Sequence, residues 1–196
     1  MKIVGGIIGV LILVLVAVFA SHINNVPRLE EGVKASFAQV QNQYQRRADL
    51  IPNLVSTVKG YASHEKETLT AVTEARAKVG QMSVSKDILT NPQAFQAFEK
   101  AQGELSKTLS RLMMVSERYP DLKADKNFLA LQSQLEGTEN RIAVARKDYI
   151  AEVQKYNMEL KTVPGRWVAA ILYPEAAPKE SFSAAPENQN APKVAF

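Results

Sequence analysis

Arg46-Arg47-Ala48-Asp49-Leu50-Ile51-Pro52-Asn53-Leu54-Val55 is the stretch on which the reading of the fold turns. It lies inside a helical pattern. Apolar or aromatic residues recur seven apart at Phe37, Tyr44, Ile51, Val58, Val72 and Val79, and a companion row runs through Val33, Val40, Ala48, Val55, Ala62 and Leu69. Together the two rows form one apolar stripe. The pattern predicts a single helix from Pro27 to about Val79, far longer than an ordinary globular helix. Pro52 is expected to kink it, because its ring removes the amide that would bond the Ala48 carbonyl, at a cost of roughly 3 kcal/mol or more. Arg47 stands next to the stripe and Glu65 falls on its seven-residue row. If either is buried, it needs a partner.

Towards the N-terminus, Ile3 to Ala20 is an unbroken run of apolar residues and glycine. As a helix it spans about 27 Å, close to the hydrocarbon thickness of a bilayer. Val18-Phe19-Ala20 before Ser21 has the spacing of a signal cleavage site, but the run exceeds the roughly 7 to 15 residues usual in a signal peptide. Residues 1–23 therefore read as an uncleaved single-pass transmembrane anchor, with membrane lipid the partner of residues 3–20. Gly5 and Gly9 form a G-x-x-x-G pair suited to membrane-helix packing. Lys2 on one side and Arg28 and Lys34 on the other barely separate the two orientations. The very short leader favours a domain outside the cytoplasm.

Towards the C-terminus, Gln81 to Thr90 reads as a loop, and Asn91-Pro92 as a cap followed by a good first helical residue. Phe95, Phe98, Leu105, Leu109, Leu112 and Met113 give the next helix a core face, and a turn follows from Tyr119 to Asp125. Phe128, Leu135, Ile142, Tyr149 and Tyr156, again seven apart, mark a third helix that ends at Pro164-Gly165. The fold class is all-α: an N-terminal transmembrane helix, then an antiparallel bundle of three long helices over 27–164. Residues 165–173 are a short apolar segment, too short to span a bilayer, expected to dock on the bundle, with contact to lipid or another subunit left open. From Pro174 to Phe196, four prolines among small and polar residues predict a disordered tail.

The chemistry of an enzyme is missing from this pattern. The two histidines, His22 and His64, belong to no Glu-x-x-His motif, so the di-iron bundle signature is lacking. Phosphate loops, dinucleotide glycine patterns, nucleophile elbows and zinc helices are likewise absent. No cysteine is present, and the net charge of +4 comes from Lys and Arg interleaved with Asp and Glu. That is the pattern of solvated helices and not of a nucleic-acid surface. Neither an enzyme nor a metal or cofactor site is expected.

The run from Arg46 to Val55, then Val58-Lys59-Gly60-Tyr61, His64-Glu65, Leu69 and Val72 to Arg76, resembles the LemA family of bacterial membrane-anchored proteins. The resemblance continues through Tyr119-Pro120-Asp121-Leu122-Lys123-Ala124, Asn127-Phe128, Leu131-Gln132, Leu135-Glu136 to Arg141-Ile142, Ala145-Arg146 and Tyr156-Asn157. It implies a single-pass protein of the bacterial inner (cytoplasmic) membrane with an antiparallel helical domain. It implies no reaction.

Helix lengths suggest a mechanism. At 1.5 Å per residue the three helices would measure about 80, 40 and 57 Å. The second would return only halfway, leaving Val33, Phe37, Val40 and Tyr44 exposed, to be covered by copies of the same chain in a homo-oligomer. In a rival arrangement the chain turns back at Pro52 and closes a compact four-helix bundle as a monomer. Arg47, Asn53, Glu139, Asn140 and Arg146 are expected to pair between helices and fix register, or to line a ligand groove. Three functions follow in order: a self-assembling structural scaffold, an adaptor presenting a helical surface to a membrane protease or signalling protein, and a lipid or small-ligand carrier.

Overall fold

In the computed structural model, residues 2–82 and 87–183 are described, and among them every regular element is a helix. The order is α1 (Lys2–His22), α2 (Asn25–Tyr61), α3 (Lys66–Gln81), α4 (Pro92–Ser116), α5 (Pro120–Ala124), α6 (Lys126–Lys161) and α7 (Gly165–Leu172). Local chemistry sets several of these ends. Asn91 accepts the Ala94 amide at 3.1 Å and Pro92 takes the first helical position of α4. Asp125 accepts the Phe128 amide at 2.8 Å to open α6, and that bond holds its carboxyl below the usual carboxylate range.

α2 and α6 lie side by side along their length. Asn25 at the start of α2 meets Glu159 near the end of α6, and Tyr61 at the end of α2 meets Asp125 at the start of α6, so the two run in opposite directions. The core falls into two apolar halves. Ile51, Leu54 and Val58 of α2 pack with Leu69 and Val72 of α3, Leu105 to Val115 of α4, and Phe128 and Leu135 of α6. Nearer to α1, Val33, Phe37, Val40 and Tyr44 pack with Phe95 and Phe98 of α4 and with Ile142, Tyr149 and Val153 of α6.

The predicted helix from Pro27 to Val79 is two helices, and the break lies at Ala62–Glu65, ten residues beyond Pro52. α2 runs through Pro52. The Ala48 carbonyl, which Pro52 cannot serve, accepts a hydrogen bond from Arg76 Nε of α3 at 3.0 Å. The turn itself is held from outside: Glu65 binds Arg118 at 2.9 Å and the Tyr119 hydroxyl at 3.2 Å. Because α3 returns along α2 and presents Leu69 and Val72 to α4, the apolar spacing continues across the turn. Periodicity alone could not reveal it. Among the described residues the bundle thus has four long helices in place of the expected three, and the turn-back is at Ala62 and not at Pro52.

The proline and the arginine act as one unit, which a double-mutant cycle can read. Arg76→Ala should cost about 1–3 kcal/mol by stranding the carbonyl. In a Pro52→Ala background the restored amide bonds Ala48, and the same Arg76→Ala change should cost only a few tenths of a kcal/mol. Thermal unfolding of the four full-length proteins measures both; additive losses would mean that Arg76 serves some other purpose.

Candidate functional site

Between the two apolar halves lies a polar waist built on Arg47. The residue occupies the strict heptad row Val33, Val40, Arg47, Leu54, and its side chain is 1% exposed. One terminal nitrogen donates to Ser106 Oγ at 2.6 Å and to Glu139 Oε1 at 3.0 Å; the other donates to Gln102 Oε1 at 2.5 Å and to the Gln102 carbonyl at 3.3 Å. The guanidinium also sits 5.0 Å from the centre of the Tyr44 ring. Three helices are therefore pinned to one planar group: α2 by Arg47, α4 by Gln102 and Ser106, α6 by Glu139. A second pair, Arg146 to Glu99 at 3.1 Å, ties α6 to α4 nearby.

Of the five residues expected to pair between helices, Arg47, Glu139 and Arg146 do so. Asn53 and Asn140 are corrections, being exposed on the outside of their helices. Their positions are set by side-chain direction, which sequence spacing near Pro52 and Glu139 did not resolve. The five line no common groove, because Arg47 is sealed in the interior and Asn53 faces solvent, while Glu139 and Asn140 border an open groove of about 470 Å³ beside Ser106 and Leu135.

The expected oligomer interface is also corrected. Val33 and Val40 are 0% exposed, Phe37 4% and Tyr44 5%, all covered by their own chain. The physical reason is the position of α4. Since α3 returns towards the base, α4 starts beside Phe37, with Phe98 5.8 Å from it ring to ring and 5.6 Å from Tyr44. In α1, Gly9 has open space around it, while the surroundings of Gly5 lie outside the described residues.

A further correction concerns residues 174–183, predicted as part of a disordered tail. They form a strap across the base. Lys179 exchanges two hydrogen bonds with the Asn157 side chain, at 2.8 and 2.9 Å, and reaches Glu30 of α2 at 2.7 Å. Its ammonium lies 5.3 Å from the Tyr156 ring, whose phenol burial pushes up to about 12. The Glu180 amide donates to the Leu89 carbonyl, and the Glu180 carbonyl accepts from the Tyr149 hydroxyl at 2.6 Å. Phe182 then closes the aromatic cluster, 5.0 Å from Phe95 and 5.4 Å from Tyr149, with Arg146 stacked 4.3 Å over its outer face. The aromatic at the end of a proline-rich stretch was the available signal. The rest of the predicted tail, 184–196, lies outside the described residues.

The outward face of the α2–α6 pair carries an open groove of about 670 Å³. Gly32, Ala35 and Ser36 form one wall, and Val144, Asp148 and Glu152 the other. A smaller one of about 360 Å³ at the far tip lies among His64, Glu67, Thr68 and Arg111. Among the described residues, no three His, Asp or Glu side chains gather into a metal-binding cluster.

The sequence profile described as the LemA family matches residues 36–196. The chain is 24% identical over 155 residues to the protein LemA of Metamycoplasma hominis, covering 79% of this chain and 67% of that protein. It is 25% identical over 173 residues to the magnetosome protein MamQ 2 of Paramagnetospirillum magneticum, covering 80% of this chain and 63% of that protein. A magnetosome protein MamQ of Magnetospirillum gryphiswaldense is 24% identical over 158 residues, with 72% and 58% covered. The chain thus spans less than two thirds of the MamQ proteins that it matches.

Proposed function

Because the chain belongs to the LemA family, matched over residues 36–196, we propose that it is a non-enzymatic, single-pass membrane scaffold that self-assembles through the outer groove of α2 and α6. One observation carries this reading. α1 is long and apolar enough to cross a membrane, and it leads through a two-residue turn into α2, a rod of 37 residues braced by α6 along its length. Such a rod stands about 55 Å tall. With Arg47 fixing its register, it is suited to holding a surface at a set height above a bilayer, and the small side chains of Ala35 and Ser36 leave the groove wall low. The domain faces away from the cytoplasm in this reading.

The absence of cysteine supplies the test. Single cysteines replacing Ser36 and Val144 should crosslink between copies in native membranes, and the detergent-extracted particle should have the mass of several chains. A single-chain mass without crosslinks would overturn self-assembly. An adaptor is the second reading, favoured by the burial of Phe37 and Tyr44 within one chain, which leaves the monomer complete. Copurification of a foreign protein in fixed ratio would select it. A cysteine at exposed Ser63, at the tip, should react with an impermeant maleimide added outside intact cells; labelling only after lysis would reverse the sidedness.

A further inference from the structure

α7 is amphipathic, and among the described residues only one of its faces has a partner. Val168 and Ala169 are buried against the bundle, while Trp167 is 56% exposed, Ile171 67% and Leu172 43%. Trp167 and Ile171 stand one turn apart on the same outer face, and Val163, in the turn before the helix, is exposed as well. Water gains nothing from so concentrated an apolar face. The helix is not free to turn it inward: a Cβ at Gly165 would collide with the Glu159 carbonyl, so α7 begins hard against α6.

Its location identifies what covers that face. The Tyr173 hydroxyl, directly after α7, donates to the Ile23 carbonyl at 3.0 Å, directly after α1. α7 touches α1, α2 and α6, so it sits at the point where α1 meets the bundle. Arg28, Lys161 and Arg166 are exposed at the same level. The carboxylates there are Glu159, which accepts from Asn25, Glu30, which pairs with Lys179, the exposed Glu31, which pairs with Lys34, and the exposed Glu175. An apolar face with tryptophan, beside a membrane span and flanked by basic side chains, has the composition of a segment lying at a lipid–water boundary.

We propose that α7 lies in the headgroup region of the bilayer that α1 crosses, with Trp167, Ile171 and Leu172 inserted among the upper acyl chains. The inference rests on the anchor reading of α1. With α7 flat on the lipid and α1 through it, the rod is held at two points and cannot swivel about a single helix.

Trp167 is the one tryptophan in the chain, so its fluorescence reports on this site alone. The full chain is reconstituted into vesicles of phosphatidylcholine and phosphatidylglycerol whose acyl chains are brominated near the headgroup. Its emission should lie to the blue of an exposed indole, lose most of its intensity to the bromines, and resist aqueous iodide. Ile171→Asp should lift much of the bromine quenching while leaving the helical circular dichroism unchanged. Emission quenched by iodide and untouched by bromolipid would overturn the proposal. Emission shielded from both would also overturn it, since another protein copy would then cover the face. Flotation of the same vesicles separates this failure from that of the anchor: protein that fails to float has lost α1 as a span, whereas protein that floats with an unquenched Trp167 has lost only the contact of α7 with lipid.

Discussion

Arg47→Ala should lower stability by about 3–5 kcal/mol, the usual penalty for breaking a buried charged network from one side. Truncation leaves Gln102 Oε1 without its donor in a sealed position, releases Ser106, and opens a void between the two apolar halves of the core. Glu139 adds less, because it is 40% exposed and can turn to water. Against a typical total of about 5–15 kcal/mol, the variant should sit near its folding threshold. Thermal unfolding of the detergent-solubilised full chain by circular dichroism gives the measurement. The companion Arg47→Met with Gln102→Leu and Ser106→Ala removes the stranded polar groups together and should recover most of the loss. If Arg47→Ala lost under about 1 kcal/mol, the waist would be incidental to folding.

Phe182→Ala should cost about 3 kcal/mol at its own site, in line with large-to-small changes in aromatic cores, yet leave the four-helix bundle intact. Phe182 anchors a strap that otherwise holds on by polar contacts, the hydrogen bonds of Lys179 and Glu180 with Asn157, Tyr149 and Leu89 and the Lys179–Glu30 ion pair. Losing the ring removes its contacts with Phe95 and Tyr149 and the stacking of Arg146. The strap should then open as a local unit. Hydrogen exchange reads it directly: the amides of Lys179 and Glu180, bonded to Asn157 and to the Leu89 carbonyl, should lose protection while those of mid-α2 and mid-α6 keep theirs. Unchanged protection at both amides would mean that the polar contacts alone secure the strap.

The long pattern from Val33 to Val58 and the one from Phe128 to Tyr156 were readable because each helix buries a single face at a fixed repeat, and repeat is what a sequence displays. Arg47 shows where that reading gives out. The strict row Val33, Val40, Arg47, Leu54 is the buried one, but a charge at its third place diverts a pattern search to Ala48 and Val55. Only the arrival of Gln102, Ser106 and Glu139 from distant parts of the chain makes the charged position an interior one. The same holds at Pro52, where local chemistry predicts an orphaned carbonyl and tertiary structure supplies Arg76.

The sequence by itself determined the apolar run at residues 3–20, the helical class, the faces of α4 and α6, and that Arg47 and Glu65, if buried, need partners. Those properties follow from hydropathy, periodicity and the cost of burying charge, all carried by neighbouring residues. Tertiary structure decided the turn at Ala62, the burial of Phe37 and Tyr44 within one chain, and the docking of residues 174–183. Each of these depends on contacts between residues far apart in sequence, such as Glu65 with Arg118, Phe37 with Phe98, and Lys179 with Glu30. A helix pattern states which face must be covered, but only the assembled chain determines what covers it.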